Sequence, residues 1–222
     1  MALSVGVLGG LGPAATLDFH AALLRLQAAR TDQEHIRLLI DSDPGVPDRN
    51  AALRGEGESP GPHLARMAAG LERAGADFLV LACNAAHAWQ AEIEAAVSIP
   101  FVSMIDEVVR EAATHGPARV GLLAADATLD AGLYQRAFGS AAVETVHPDR
   151  AEFMALLYRI KAGDTGSGVS AAMRALADTM TGIDVLIAAC TEVPLVLTDH
   201  ELPYVNSTDV LARATLRAAR QG

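Results

Sequence analysis

The strongest constraint on this chain is that its two halves follow one plan. The first half opens with Val5-Gly6-Val7-Leu8 and the second with Val120-Gly121-Leu122-Leu123, and Thr16 and Thr128 follow at the next helix start. In each half an apolar run ends in cysteine: Phe78-Leu79-Val80-Leu81-Ala82-Cys83, then Val185-Leu186-Ile187-Ala188-Ala189-Cys190. A Pro-aromatic-Val segment leading to an acid comes next in both, Pro100-Phe101-Val102-Ser103 with Asp106 and Pro203-Tyr204-Val205-Asn206 with Asp209. Three matched signals in the same order predict two similar lobes.

Within that plan, short apolar runs predict strands at 4–8, 37–41, 78–82, 101–103, 119–123, 143–145, 185–189 and 204–206. Longer Ala-rich stretches predict helices at 14–29, 60–74, 86–95, 105–114, 129–138, 149–162, 167–180 and 208–220. Strands alternating with helices specify an α/β fold with largely parallel sheets. Gly75, Gly116 and Gly163 fall where helices end. The polar stretch 41–62 reads as one long loop, and loops of that length in a compact domain are usually functional or mobile.

Composition narrows the function. Hydrophobic residues make up 51% of the 222 and charged residues 20%, which supports a packed core and excludes a disordered chain. No apolar run reaches the roughly 18 residues of a membrane span. The N-terminal segment lacks a basic n-region and is broken by Gly9, Gly10, Gly12 and Pro13, so it reads as strand and turn rather than signal peptide. A formal net charge of −10 argues against nucleic acid and anionic membranes as partners. An anionic small substrate must then be held by a local cation. Two cysteines are too few for a disulfide scaffold, which points to a reducing cytoplasmic setting where the thiols are filler or chemistry.

Ligands of open α/β sheets bind at the carboxyl ends of strands, where both cysteines fall, one per lobe. A helix N-terminus following each would lower a thiol pKa from roughly 8.5 toward neutrality. Four chemistries use two thiols. A disulfide redox pair usually has Cys-x-x-Cys spacing, which is absent here. A metal site can draw on Cys83, His87, Cys190 and Glu192, a mixed set. A nucleophile and base can be Cys83 and His87 at i, i+4. A two-base racemase needs one acid/base on each face of a planar carbanion, and it alone explains why the cysteine is duplicated and the histidine is not. Gly10-x-Gly12-x-x-Ala15 matches a weak dinucleotide fingerprint, but Pro13 removes a donor from the phosphate turn. A tight turn bringing backbone to the cleft is the plainer reading. Glu192 can orient Cys190 or a water, and Arg49 suits bidentate capture of a side-chain carboxylate.

Gly9-Gly10-Leu11-Gly12-Pro13 with Ala15-Thr16, Asp32-Gln33-Glu34-His35, Val46-Pro47-Asp48-Arg49, Cys83-Asn84-Ala85-Ala86-His87 and Cys190-Thr191-Glu192 resemble aspartate racemases of the aspartate/glutamate racemase superfamily. The resemblance spans nearly the whole chain. It implies a cofactor-independent racemase needing neither pyridoxal phosphate nor metal. It implies two pseudo-symmetric α/β lobes with the active site between them, and commonly a homodimer. Cys83 and Cys190 would be catalytic. Asn84 and Thr191 would bind the α-carboxylate or amino group of an amino-acid substrate, with Arg49 and Lys161 beside them. Leu11, Thr16, His87 and Glu192 would support the site. The C-terminal helix would return to the first lobe, giving lobes of 1–103 plus 208–222 and 104–207. The sequence departs from the family pattern at Ala85, usually Thr or Ser, and at Leu11, more often Met.

Overall fold

The structure is a computed structural model that describes residues 3–139 and 143–220; Met1 and Ala2, part of the segment read as strand and turn, lie outside the described residues. Eight strands follow in chain order as β1 Val5–Gly9, β2 Leu38–Ser42, β3 Phe78–Leu81, β4 Phe101–Val102, β5 Arg119–Leu122, β6 Glu144–Val146, β7 Val185–Ala188 and β8 Tyr204–Asn206. They form two four-stranded sheets of identical order, β2-β1-β3-β4 and β6-β5-β7-β8. Among the described residues all six pairings are parallel. The chain therefore has the α/β architecture that its alternating pattern specifies. β1, β3 and β7 are buried along their whole length because helices cover both faces, which is why their sequences are apolar without alternation.

The helices are α1 Pro13–Gln27, α2 Arg49–Leu53, α3 Gly61–Arg73, α4 Gln90–Ala95, α5 Met104–Ala113, α6 Asp126–Asp130, α7 Leu133–Phe138, α8 Arg150–Lys161, α9 Ser167–Asp178 and α10 Ser207–Arg220. Three differences from the sequence expectation bear on the site. The stretch 41–62 is not all loop: α2 starts inside it, capped by the Asp48 carboxylate accepting the Ala51 N–H at 2.8 Å. The helix expected at 129–138 is broken into α6 and α7 at Gly132, whose φ of 57° is a left-handed value that glycine adopts cheaply. The helix expected at 86–95 begins as a 3-10 turn, Ala85–Trp89, before α4.

Alternate residues of each inner strand face opposite sides. Val7 and Val80 of the first sheet and Val120 and Ile187 of the second share one apolar core with Phe19 of α1, Met104 of α5, Tyr134 of α7 and Leu211 of α10. Leu79 and Leu81 face away, onto Leu64 and Leu71 of α3. Leu186 faces away likewise, among Phe153 and Leu157 of α8 and Met173 of α9. Each such large side chain stabilises the fold by roughly 1.5–3 kcal/mol when fully buried, so the shared core holds the halves together strongly. α5 packs on α7 and β8, and α10 packs on α1 and α5. Among the described residues no helix is long and apolar enough to cross a membrane.

Candidate active site

Cys83 lies two residues beyond β3 and Cys190 two beyond β7, the equivalent strand of each sheet. Both are free and buried, and both line one cavity of about 60 Å³. Leu11, Asp48, Arg49, Asn50, Cys83, Asn84 and Ala85 wall it from the first half; Ala125, Thr128, Leu157, Tyr158, Lys161, Cys190, Thr191 and Glu192 wall it from the second. The structure thus brings together every residue expected at the site except Thr16 and His87. A larger groove of about 460 Å³ between α8 and α9 is lined by residues such as Ala155, Leu156, Ala172 and Leu176 and contains no thiol or imidazole.

The two thiols have different surroundings. Glu192, only 3% exposed, accepts from Cys190 Sγ at 3.1 Å and Thr191 Oγ1 at 3.3 Å through Oε2, and pairs with Lys161 Nζ at 2.9 Å through Oε1. Burial first, and the Glu192 charge second, push the Cys190 thiol well above its ordinary range against the pull of Lys161. The expectation that a helix N-terminus lowers this thiol's pKa is therefore wrong. A carboxylate faces the sulfur, and only a short 3-10 turn, Val193–Leu195, follows. Burial works to lower the Lys161 pKa, but Glu192 and then Cys190 outweigh it and raise it, keeping the ammonium charged.

At Cys83 the corresponding position two residues on is Ala85, which has no charge to offer. His87, one turn later, is not a base for Cys83. The Met104 N–H donates to Nε2 at 3.1 Å, so the ring proton sits on Nδ1, which donates to the Cys83 carbonyl at 2.8 Å. Burial lowers its pKa to about 4. With both nitrogens committed to backbone, His87 clamps the turn after β3 to the start of α5, and it is not available as a metal ligand. Among the described residues no three His, Cys, Asp or Glu side chains gather so as to hold a metal ion.

Thr16 also acts structurally. Its Oγ1 accepts the Gly10 N–H at 2.8 Å and donates to the Gly12 carbonyl at 3.1 Å, fixing the glycine-rich turn. Gly10 has a φ of 86°, and a Cβ there would meet the Asp43 backbone nitrogen at 2.4 Å. At Gly12 a Cβ would stand 2.7 Å from Glu192 Oε1, so the missing side chain lets the first half approach the carboxylate of the second. Leu11 gives an apolar wall and, through its carbonyl, a partner for Arg49. The Arg49 guanidinium donates to the carbonyls of Val46 (3.2 Å), Pro47 (3.1 Å) and Leu11 (3.1 Å). Those bonds leave Nε–H and one Nη2–H for a ligand.

Asp48, Asn50, Ala125, Thr128, Leu157 and Tyr158 were not among the expected residues. Asp48, the N-cap of α2, and Asn50, its second residue, flank Arg49 in the helix that lies inside the expected loop. The Asn50 Oδ1 accepts the Ala127 N–H at 2.8 Å, joining α2 to α6 across the cleft. Thr128 had a signal, its place in the repeat opposite Thr16; its hydroxyl is buried and has no partner among the described residues. Tyr158 lies one turn before Lys161 on α8, which is the periodicity that could have found it.

A family model described as Asp/Glu/hydantoin racemase matches residues 8–215. The solved structure of Picrophilus torridus aspartate racemase is similar over 98% of this chain and 94% of its own, with 31% identity and a TM-score of 0.91. An aspartate racemase homologue from Pyrococcus horikoshii OT3 shares the fold at 24% identity, TM-score 0.76, over 98% and 99% of the two chains. The broad specificity amino-acid racemase RacX of Bacillus subtilis (strain 168) is 27% identical over 96% of each chain. Equivalent strand ends that each deliver a thiol to one cleft, in a chain matched nearly end to end, make this protein a member of the Asp/Glu/hydantoin racemase family of enzymes.

Proposed function

We propose that the protein racemises an acidic amino acid, aspartate foremost, by a two-base mechanism without an organic or metal cofactor. One observation carries the reading: Cys83 and Cys190 line the same cavity from opposite halves, and one of them is held as a thiol by Glu192. A Cys83 thiolate removes the α-proton, and the electrons of the Cα–H bond pass into the α-carboxylate to give a planar enediolate. The Cys190 S–H delivers its proton to the other face and is left as thiolate, ready for the reverse direction. Lys161 and the free donors of Arg49 offset the substrate's negative charge against a protein of formal charge −10. Asn84 and Thr191 hold the substrate backbone, and Thr128 offers an unspent hydroxyl. On this reading residues 1–103 with 208–222 work as one lobe and 104–207 as the other, consistent with α10 packing on α1.

Arg49 favours a second reading, a broader amino-acid range. Three of its guanidinium hydrogen bonds go to backbone carbonyls, so it is less than a dedicated carboxylate clamp. Ala85 likewise offers no hydroxyl. A relative that is a broad specificity racemase fits that possibility. Chiral analysis after incubation with aspartate, glutamate and neutral amino acids, in deuterated water with and without EDTA, separates the readings. The expected result is EDTA-insensitive inversion of aspartate with deuterium at Cα. Equal rates on neutral amino acids select the broader range, and no inversion of any amino acid overturns the racemase reading.

A further inference from the structure

The side chain of Asn84 is held from two directions by residues distant in sequence. Tyr134, buried on α7, donates its hydroxyl to Asn84 Oδ1 at 2.5 Å. Asn84 Nδ2 donates to Oγ of Ser207, buried at the start of α10, at 3.1 Å. Asn84 belongs to the turn after β3, whereas Tyr134 follows the second sheet's first strand. The bond therefore crosses between the halves just behind the cavity. Its chemical consequence is direct. With Oδ1 turned to Tyr134 and one Nδ2–H turned to Ser207, the carboxamide has one uncommitted N–H, a donor. A free N–H beside Cys83 suits a carboxylate, which can only accept, whereas the Oδ1 that an ammonium group would need is already engaged by Tyr134.

We propose that Tyr134 is a positioning residue: by holding Asn84 Oδ1 across the interlobe junction, it makes Asn84 present an N–H to the substrate's α-carboxylate. This rests on the racemase reading for the identity of the substrate, but the orientation of the amide does not. The ring of Tyr134 lies in the shared core with Val80, Met104 and Leu122, so phenylalanine keeps the packing and removes only the hydroxyl. The Asn84 amide is then held by Ser207 alone, whose hydroxyl can accept from Nδ2 or donate to Oδ1, so the amide can turn over. Burial, with the nearby Cys190 adding to it, pushes the phenol above its usual range, so it remains a donor at every working pH.

Two readouts on Tyr134→Phe test the proposal. In steady state, the KM for the amino acid should rise about tenfold with kcat little changed, the pattern of lost uniform binding. Independently of turnover, Cys83 alkylation is followed by peptide mass spectrometry with iodoacetate, which carries a carboxylate, and with iodoacetamide, which does not. The ratio of the two rates should fall roughly fivefold in Tyr134→Phe, since one donor to the carboxylate is lost. Ser207→Ala, which leaves the core ring in place, should shift the same ratio in the same direction by less. An unchanged ratio in both folded variants overturns the proposal, as does an unchanged KM. If the unmodified protein inverts no amino acid while the ratio still falls, the racemase reading fails and the positioning role of Tyr134 stands.

Discussion

Cys83 and Cys190 occupy the same place in sheets of the same strand order, yet their neighbours differ in charge. Two residues beyond Cys190 stands Glu192, buried and shared among the thiol, Thr191 and Lys161. Two residues beyond Cys83 stands Ala85, and the carbonyl of Cys83 is engaged by a neutral histidine. The backbone repeat therefore supplies symmetry of position, while the side chains break symmetry of charge. A two-base reaction needs both: opposed groups, and at any moment one acid and one base. The glycine-rich turn serves this difference, since Gly12 in the first half makes room for Glu192 in the second.

The sharpest way to break the comparison is to remove the charges around Cys190. Lys161→Met leaves Glu192 buried without its cation. The expected loss is on the order of 2–3 kcal/mol of stability, below the full cost of breaking a buried pair because Lys161 is partly exposed. The same change should move the alkylation midpoint of Cys190 to higher pH, because the one charge that lowers its pKa is gone. Glu192→Gln should move it to lower pH, because the larger charge effect is removed and Lys161 is left unopposed. Alkylation rates against pH, read by mass spectrometry for each cysteine, check both signs. A Cys190 midpoint that ignores both substitutions would show that this triad does not control the thiol.

How much of this was legible in the sequence follows physical lines. Buried parallel strands need unbroken apolar runs, so all eight strands and the matched order of the halves could be read from local composition. Cysteines at the ends of two such runs were legible for the same reason. What was not legible depends on contacts between distant residues. His87 looked like a base because Cys83 is one turn away, but its second nitrogen is taken by Met104, 17 residues on. Asn84 meets Tyr134 and Ser207, 50 and 123 residues away, and no spacing rule reports that. α2 was hidden because its turn-rich surroundings dominate a helix of five residues whose start is marked by one capping acid, Asp48. The break at Gly132 was masked by helix formers on both sides.

His87 gives a pH test on the Cys83 side. Its folded pKa of about 4 lies below the ordinary histidine value of 6.5, so the unfolded chain binds the proton more readily between those values. Stability should therefore fall as pH drops from 6.5 toward 4, by at most roughly 3 kcal/mol from this group. His87→Gln keeps a donor for Cys83 and an acceptor for Met104 but cannot titrate. Urea midpoints against pH should be flatter for the variant than for the parent over that window. Identical slopes would mean that His87 is not buried and neutral.

The smallest effect expected is at Ala85. A hydroxyl placed there gives a carboxylate one more hydrogen bond, worth roughly 1.5–3 kcal/mol when fully made, part of which a bound water recovers. Ala85→Thr should raise kcat/KM for aspartate by about tenfold if the cleft is an aspartate site lacking one contact. A fall in aspartate turnover with the fold intact would instead mark the space at Ala85 as room for a different side chain.

The central claim is that two thiols, one from each half, serve opposite faces of one α-carbon. The most direct test measures racemisation of aspartate in deuterated water by Cys83→Ser and Cys190→Ser separately, with circular dichroism to confirm that each variant folds. A hydroxyl is a far weaker base than a thiolate near neutral pH, and an acid/base group contributes about 10²–10⁴-fold. Both variants should lose inversion by at least about the lower bound of that range, with Cα deuteration no longer accompanied by formation of the opposite enantiomer. Full racemisation in either folded variant would contradict the two-thiol account.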